Sequence, residues 1–193
     1  MHRISSINDY TRLGLLHLPD FANLTGITAK RELEKNASLY LLGKMTGENT
    51  EITHNSDGKP FLKNNPAHIS ISHSHDKLAV IINEKNETGI DIELIRDKVL
   101  RIQHKFLSQQ ELEQTNNDVQ KLIIYWACKE SLYKYYSKKE IDFIHHFYIH
   151  PLGHSDTGKI IGEIKLPHFA KKVKLHYEKL DDYILAYTLD EIG

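Results

Sequence analysis

The residues best suited to chemistry begin with a short segment, Gly89–Glu93, that has the pattern of a β-strand. Successive side chains of a strand point to opposite faces, so Asp91 and Glu93 project together while the neighbouring isoleucines face the other way. Paired carboxylates suit a hard divalent cation such as Mg²⁺, which prefers oxygen ligands. A solvent-facing strand edge would have the same pattern, so the pair alone does not specify a site.

A helix predicted over residues 119–136 supplies a third carboxylate. Glu130 lies on the apolar stripe of this helix, four residues after Trp126 and three before Tyr133. An unpaired buried carboxylate is costly, so we expect a cation or a metal ion beside it. The alternative is an ordinary pair with Lys134 at i, i+4, which stabilises a helix by only about 0.2–0.5 kcal/mol.

Two lysines of the same helix flank this carboxylate. Lys129 and Lys134 lie about 140° apart around the helix, one on each side of the apolar stripe. Ammonium groups in these positions suit phosphate oxygens, although either lysine alone could be an ordinary solvated side chain. Carboxylates and lysines together indicate phosphoryl-type chemistry with Mg²⁺.

Other reactive residue types give weaker patterns. Ser72 and His73 lie in a run of alternating Ser and His, but no nucleophile-elbow glycines accompany them, which disfavours a hydrolase. His73 and His75 share a strand face, yet no Cys or second His pair stands at zinc spacing. Cys128 is predicted to be a small buried helix residue rather than a nucleophile.

The composition limits the class of protein. The 193 residues carry a formal net charge of −1 with His neutral, which disfavours a general nucleic-acid binder. Cys128 is the sole cysteine, so no intrachain disulfide is possible and a reducing compartment fits. The start has no signal-peptide pattern, and no segment approaches the ~20 apolar residues of a membrane-spanning helix. We expect a cytoplasmic protein that binds neither membranes nor nucleic acid.

Hydrophobic periodicity and turn residues predict the other elements. Residues 1–27 are predicted to be a loop-rich lead-in with at most one short helix. Helices are predicted over 28–45 with Thr28 as N-cap, over 99–106, over 108–113 with Ser108 and Glu111 at capping-box spacing, and over 119–136. Strands are predicted over 51–54, 68–73, 78–82, 88–94, 143–149, 159–166, 173–177 and 183–189.

The order of these elements repeats along the chain. Each half has a long helix followed by strands that close in a hairpin, over 70–82 and over 173–189. The repeat predicts an α+β fold of two pseudo-symmetric halves, each a long helix packed on a small, mostly antiparallel sheet, with the active site at the seam. We predict an N-terminal half over 1–86 and a C-terminal half over 87–193, together one compact pseudo-dimeric unit.

Taken together, these segments resemble the 4′-phosphopantetheinyl transferase superfamily, in the larger single-chain type represented by surfactin synthetase activators. The resemblance rests on Gly89–Glu93 and Trp126–Lys134, with Gly58–Pro60 and Ser72–Ser74 upstream. It covers roughly residues 58–134, and the duplicated α+β halves of the family agree with the repeat.

The resemblance implies a holo-acyl-carrier-protein synthase. Such an enzyme moves the phosphopantetheine arm of coenzyme A onto a serine of an apo acyl or peptidyl carrier protein and releases 3′,5′-ADP. Asp91, Glu93 and Glu130 would hold Mg²⁺ against the pyrophosphate. The base for the serine would be Glu130 or a water held by the metal and a carboxylate, and Asp91 belongs to the same catalytic set.

The resemblance also implies contacts to coenzyme A. Lys129 and Lys134 would contact its phosphates, with Lys134 placed to stabilise or protonate the leaving group. A further set would bind the nucleotide: Lys59, Ser72, His73 near the 3′-phosphate, and Arg31 on the first long helix.

This chain departs from the family pattern in three places. Ser70 stands where many relatives carry Asn, residues 36–40 lack a frequent arginine, and Ser137–Lys139 replaces a Gly-Lys-Gly turn. Two other functions stay open: an inactive relative that binds coenzyme A or a carrier protein without transfer and, less readily, a Mg²⁺-dependent nuclease. We expect a monomer.

Overall fold

The computed structural model describes residues 1–153 and 155–192. Within these ranges the chain forms two antiparallel sheets and four α-helices, a mixed architecture in agreement with the predicted α+β class. None of the described helices is both long and apolar enough to cross a membrane.

The first sheet is built from the first six described strands: β1 (His2–Asn8), β2 (Thr11–His17), β3 (Ile52–His54), β4 (Pro60–Leu62), β5 (His68–Ser74) and β6 (Lys77–Asn83). Their spatial order is β1-β2-β6-β5-β4-β3. Helices α1 (Leu18–Thr25) and α2 (Lys30–Thr46) belong to this part of the chain. Leu41 of α2 packs with Leu78 and Val80 of β6 in one apolar core.

The second sheet is built from the five described strands that follow: β7 (Ile90–Leu94), β8 (Phe147–Ile149), β9 (Thr157–Leu166), β10 (Phe169–Leu180) and β11 (Tyr183–Ile192). Their spatial order is β7-β11-β10-β9-β8. Helices α3 (Gln109–Thr115) and α4 (Val119–Tyr136) lie between β7 and β8 in the chain. Leu122 and Leu132 of α4 pack with Ile164 and Leu175 in a second core.

A third apolar cluster joins the two sheets. It contains Leu13 and Ile81 from the first sheet and Ile90, Ile92 and Leu185 from the second. Because strand side chains alternate between faces, burial of the β7 isoleucines against the first sheet turns the carboxylates of β7 toward α4.

The prediction of a loop-rich lead-in over residues 1–27 is wrong. These residues form the β1–β2 hairpin and α1. Strand β2 pairs with β6 along its whole length, from Thr11 opposite Asn83 to His17 opposite Lys77. The strand is therefore stabilised by a partner more than sixty residues away, and the local pattern around Pro19 gives no sign of it.

The predicted N-cap of α2 is also wrong. The helix begins at Lys30, and Ala29 occupies the N-cap position without a side-chain cap hydrogen bond. Thr28 lies one residue too early to cap the first-turn N–H groups in the usual way.

Two other predicted elements differ from the structure. Residues 99–106 form parts of two 3₁₀ turns, Asp97–Arg101 and Gln103–Lys105, instead of an α-helix. Gln103 donates a side-chain hydrogen bond to the Leu100 carbonyl, which competes with helical hydrogen bonding. Only the end of the predicted strand over 143–149 is a strand, since Asp142 folds the preceding residues into a turn.

Several local predictions are confirmed. Helix α4 spans Val119–Tyr136, and α3 begins with the capping box of Ser108 and Glu111. The hairpins β5–β6 and β10–β11 are present. These elements depend on contacts close in sequence, which periodicity and capping residues report well.

Helix α4 approaches β7 most closely at Gly89. A β-carbon at this position would lie 2.0 Å from the Ser131 carbonyl oxygen and 2.8 Å from the Tyr135 nitrogen. Ser131 also donates a hydrogen bond to the Ala186 carbonyl of β11 at 2.9 Å. The absence of a side chain at Gly89 therefore allows α4 to lie directly on β7 and β11.

Substitution Gly89→Ala should test this contact. Overpacking usually costs about 1–3 kcal/mol, and we expect at least the upper end because the clash is with backbone atoms. Chemical unfolding measures the change. The control is Gly153→Ala, where a β-carbon would meet no atom within 4 Å. Equal stability of the two variants would contradict the proposed contact.

Candidate active site

Three serines of β5 join the edge of the second sheet to the first. Each accepts a hydrogen bond from a backbone N–H of β7: Ser70 from Ile90 (3.1 Å), Ser72 from Ile92 (3.3 Å) and Ser74 from Leu94 (3.3 Å). From one hydrogen bond to the next, the residue numbers rise by two in both strands, so β5 and β7 run in the same direction. This set of serines, the serine ladder, satisfies N–H groups that the edge strand would otherwise leave unpaired.

The serine ladder also holds the carboxylates of β7. The Ser72 hydroxyl donates to Asp91 Oδ1 at 2.7 Å, and the Ser74 hydroxyl donates to Glu93 Oε2 at 3.1 Å. Ser72 thus accepts a hydrogen bond from the Ile92 N–H and donates one to the side chain of the residue before Ile92 in β7. Ser74 does the same with Leu94 and the residue before it. The carboxylates are fixed in direction by the same groups that fix the strand.

Asp91 is the most enclosed of the three carboxylates. It is 3% exposed, and its Oδ1 also accepts a hydrogen bond from Lys134 Nζ at 2.7 Å. Its Oδ2 is buried and has no hydrogen-bond partner among the described residues. A buried carboxylate oxygen without a partner is unfavourable, so this atom marks a place for a positive group.

Glu93 lies between the serine ladder and α4. Its Oε1 accepts a hydrogen bond from the indole Nε1 of Trp126 at 3.1 Å. Burial and, secondarily, the charge of Asp91 raise the pKa of Glu93, while hydrogen bonds from Trp126 and Ser74 lower it.

Glu130 is the third carboxyl of the candidate site. Burial, followed by repulsion from Asp91, raises the pKa of Glu130 to about 7, with Lys134 opposing the rise and Glu93 adding to it. The three acids are therefore close enough to affect one another. Near neutral pH, Glu130 can both hold and release a proton.

The chemistry of these carboxylate groups suits a hard divalent cation. No set of three or more acidic, His or Cys side chains within residues 1–153 and 155–192 is arranged as a ready-made metal cage. However, all donors are carboxylate oxygens, Asp91 Oδ2 lacks a partner, and burial followed by the charge of Asp91 raises the pKa values of Glu93 and Glu130. A cation would relieve both conditions.

Lys134 connects the carboxylates to a cleft. Its side chain is 25% exposed, and it lines a cleft of about 210 Å³ together with Gly58, Lys59, Tyr133 and Ser137. Lys59 Nζ donates a hydrogen bond to Glu87. Lys134, a predicted phosphate contact, and Lys59, a predicted nucleotide contact, therefore line the same cleft.

The predicted nucleotide contacts His73 and Arg31 lie farther out. His73 lines a second cleft, of about 570 Å³, which meets the first at Pro60 and Ile71. His73 Nδ1 is 3.3 Å from Glu34 Oε1. Arg31 is exposed in the first turn of α2 and is not among the described residues that line either cleft.

Two predicted contacts to coenzyme A point into the protein instead. The Ser72 hydroxyl is buried and is engaged by Asp91 and the Ile92 N–H. Lys129 is fully buried, and its ammonium bonds to Glu111 and to two backbone carbonyls. The prediction placed Lys129 beside the apolar stripe, within reach of a phosphate, but α4 is buried on more sides than its apolar residues indicate.

Three residues in contact with the candidate site were not predicted to belong to it. Ser74 could have been found, since it continues the two-residue spacing of Ser70 and Ser72. Trp126 was interpreted only as a core residue, and Glu111 only as part of a capping box. Their second contacts are with residues distant in sequence, for which the local pattern has no signal.

The raised pKa of Glu130 predicts a pH-dependent stability in metal-free buffer containing EDTA. The folded chain keeps this proton up to about pH 7, whereas the ordinary value is 4.5. Stability should therefore fall as the pH rises through this window. Glu130→Gln should be more stable than the wild type at pH 8, by up to about 3.5 kcal/mol for a rise of about 2.5 pKa units at roughly 1.4 kcal/mol per unit.

The difference should vanish well below pH 4.5, where the carboxyl holds its proton in both the folded and the unfolded state. Urea unfolding across the pH range measures it. Glu113→Gln, on the exposed side of α3, is the matched control and should follow the wild type. A constant offset between Glu130→Gln and the wild type would count against the assigned environment.

Two comparisons with known proteins bear on this site. The chain is similar to the 4′-phosphopantetheinyl transferase AcpT of Salmonella typhi, with 30% identity over 82 residues, or 42% of this chain and 43% of that relative. The match thus spans less than half of the relative's length.

The second comparison covers more of the chain. The sequence pattern of the 4′-phosphopantetheinyl transferase superfamily matches residues 87–188, a range that contains β7, α4 and all three carboxylates. More than half of the chain, including every acidic group of the candidate site and the lysine that bonds Asp91, therefore follows the pattern of one family. The chain belongs to the 4′-phosphopantetheinyl transferase superfamily.

Proposed function

We propose that this chain is a holo-acyl-carrier-protein synthase. It would transfer the 4′-phosphopantetheine arm of coenzyme A to a serine of an apo acyl or peptidyl carrier protein and release 3′,5′-ADP. The observation that carries the proposal is the environment of the buried Asp91. Its Oδ1 accepts a hydrogen bond from Lys134, its Oδ2 has no described partner, and its charge helps to raise the pKa values of Glu93 and Glu130. Membership of the superfamily supports it.

Asp91, Glu93 and Glu130 would hold Mg²⁺ in this proposal. When bound, the ion would neutralise negative charge on the pyrophosphate of coenzyme A. The serine ladder keeps the Asp91 and Glu93 side chains turned toward that position, so little reorganisation of these two groups is needed.

The reaction exchanges one phosphorus–oxygen bond for another. The carrier serine oxygen attacks the phosphorus next to the pantetheine, and the bond from that phosphorus to the 3′,5′-ADP oxygen breaks. The serine proton passes to Glu130, directly or through a water beside it. Lys134 stabilises or protonates the phosphate that leaves.

The two clefts would receive coenzyme A. Lys59 lines the cleft beside Lys134, and His73 lines the adjoining one. Arg31 would contribute a longer-range phosphate contact.

We also propose the division into halves over 1–86 and 87–193, with pseudo-symmetry, the active site at their seam and a monomeric chain of the larger single-chain type.

The direct test is intact-mass analysis of an apo acyl carrier protein incubated with the chain, coenzyme A and Mg²⁺. A mass gain of one phosphopantetheine arm, abolished by EDTA, is the expected result. Coenzyme A binding without any mass gain on several carriers would favour a relative that binds without transfer. The absence of both coenzyme A binding and a mass gain would refute the proposed function.

Substitution of the acidic residues tests their part in the transfer reaction. Asp91→Asn and Glu130→Gln should each lower the transfer rate by about 100-fold or more, since each removes a carboxylate that would hold Mg²⁺ against the pyrophosphate. The matched control is Asp181→Asn, at a side chain 85% exposed and paired with Lys77. Wild-type rates in Glu130→Gln would disprove its role.

A further inference from the structure

Lys129 directly precedes Glu130 on α4, but its side chain lies in the interior. It is 0% exposed. Its Nζ donates three hydrogen bonds, to the Phe106 carbonyl at 2.7 Å, to Glu111 Oε2 at 2.7 Å and to the Phe143 carbonyl at 2.8 Å. An ammonium group has three donors, so all of them are used within the protein.

Glu111 is equally enclosed and equally engaged. It is 0% exposed. Its Oε2 accepts a second hydrogen bond from the Ser108 N–H at 2.8 Å, and its Oε1 accepts one from the Ile149 N–H at 3.0 Å. The ion pair therefore joins α4 to the start of α3, to the turn before it, to the Phe143 loop and to β8.

These bonds determine how α4 is rotated. Neighbouring residues of a helix differ by about 100° around its axis, and Lys134 lies about 140° from Lys129. With Lys129 anchored in the interior, Glu130 is turned toward the carboxylates and Lys134 reaches Asp91 at 2.7 Å. A small rotation of the helix would move both groups away from Asp91.

We propose that Lys129 is a positioning residue, which acts with Glu111 to set the rotation of α4 and does not contact a phosphate of coenzyme A. This inference rests on the proposed function, because the reaction is what the rotation serves. It also replaces the role that the family resemblance suggested for Lys129.

The properties of buried ion pairs provide a decisive experiment. Removal of one partner leaves an uncompensated buried charge, whereas replacement of both is often tolerated. Lys129→Met keeps the length of the aliphatic stem, and Glu111→Gln keeps an acceptor for a backbone N–H while adding a donor for a carbonyl. The variants are the two single substitutions and the double substitution.

Transfer kinetics and thermal unfolding should report the pair as a unit. We expect Lys129→Met to lower Tm and to lower kcat by about 100-fold through misplacement of Glu130 and Lys134. Its KM for coenzyme A should stay within about threefold of the wild type. Lys129→Met with Glu111→Gln should regain most of the Tm and at least about tenfold in kcat.

Lys134 provides the matched control on the same helix. Its side chain bonds the buried Asp91 carboxylate, so Lys134→Met should lower both kcat and Tm. Addition of Glu111→Gln should not restore kcat in that background. If Glu111→Gln restores kcat in the Lys129→Met background only, the recovery reflects the position of α4 and not a general effect of Glu111→Gln.

Each outcome decides the question. A KM for coenzyme A raised equally in Lys129→Met and in the double variant, with no recovery of kcat, would show a phosphate contact and overturn the inference. If Lys129→Met does not fold, the KM and kcat of the double variant give the answer alone. A wild-type chain without transfer would refute the proposed function and this inference together, whereas an active wild type without recovery refutes the inference only.

Discussion

The geometry of the site depends on hydrogen bonds in which serine hydroxyls join two strands of different sheets. Ser72 and Ser74 each accept a bond from a β7 N–H and donate one to the carboxylate of the residue before it. Alternate strand residues are about 6.6 Å apart, so the same period spaces the serines and the carboxylates. On the other face of β7, apolar packing between the sheets prevents the strand from turning over.

Helix α4 supplies the opposite wall, and it is constrained on two sides. Gly89 admits the helix backbone against β7, while the ion pair of Lys129 and Glu111 anchors its other side in the interior. Together these two constraints bring three acidic side chains and the described ammonium group of Lys134 into a poorly solvated space. This imbalance of charge is costly, and a bound cation would offset it.

Sequence reasoning succeeded where the determining contacts are local. The alternation of β7 predicts that Asp91 and Glu93 share a face, and the bounds of α4 follow from its periodicity. The β1–β2 hairpin depends on pairing with β6, and the burial of Lys129 depends on a carboxylate from α3. No local pattern distinguishes a buried lysine with a distant partner from a solvated one, so the interior role of Lys129 needed the fold.

Ser70 has a structural role in the serine ladder. Ser70 is buried, and its hydroxyl accepts the Ile90 N–H, which makes it the first member of the serine ladder. The residue before Ile90 is Gly89, which has no side chain to receive a hydrogen bond because α4 occupies that space. Ser70 therefore aligns the strands without holding a carboxylate, and the acidic face of β7 begins only at Asp91. A side chain at this position needs to accept one backbone hydrogen bond, which a hydroxyl and an amide oxygen can both do.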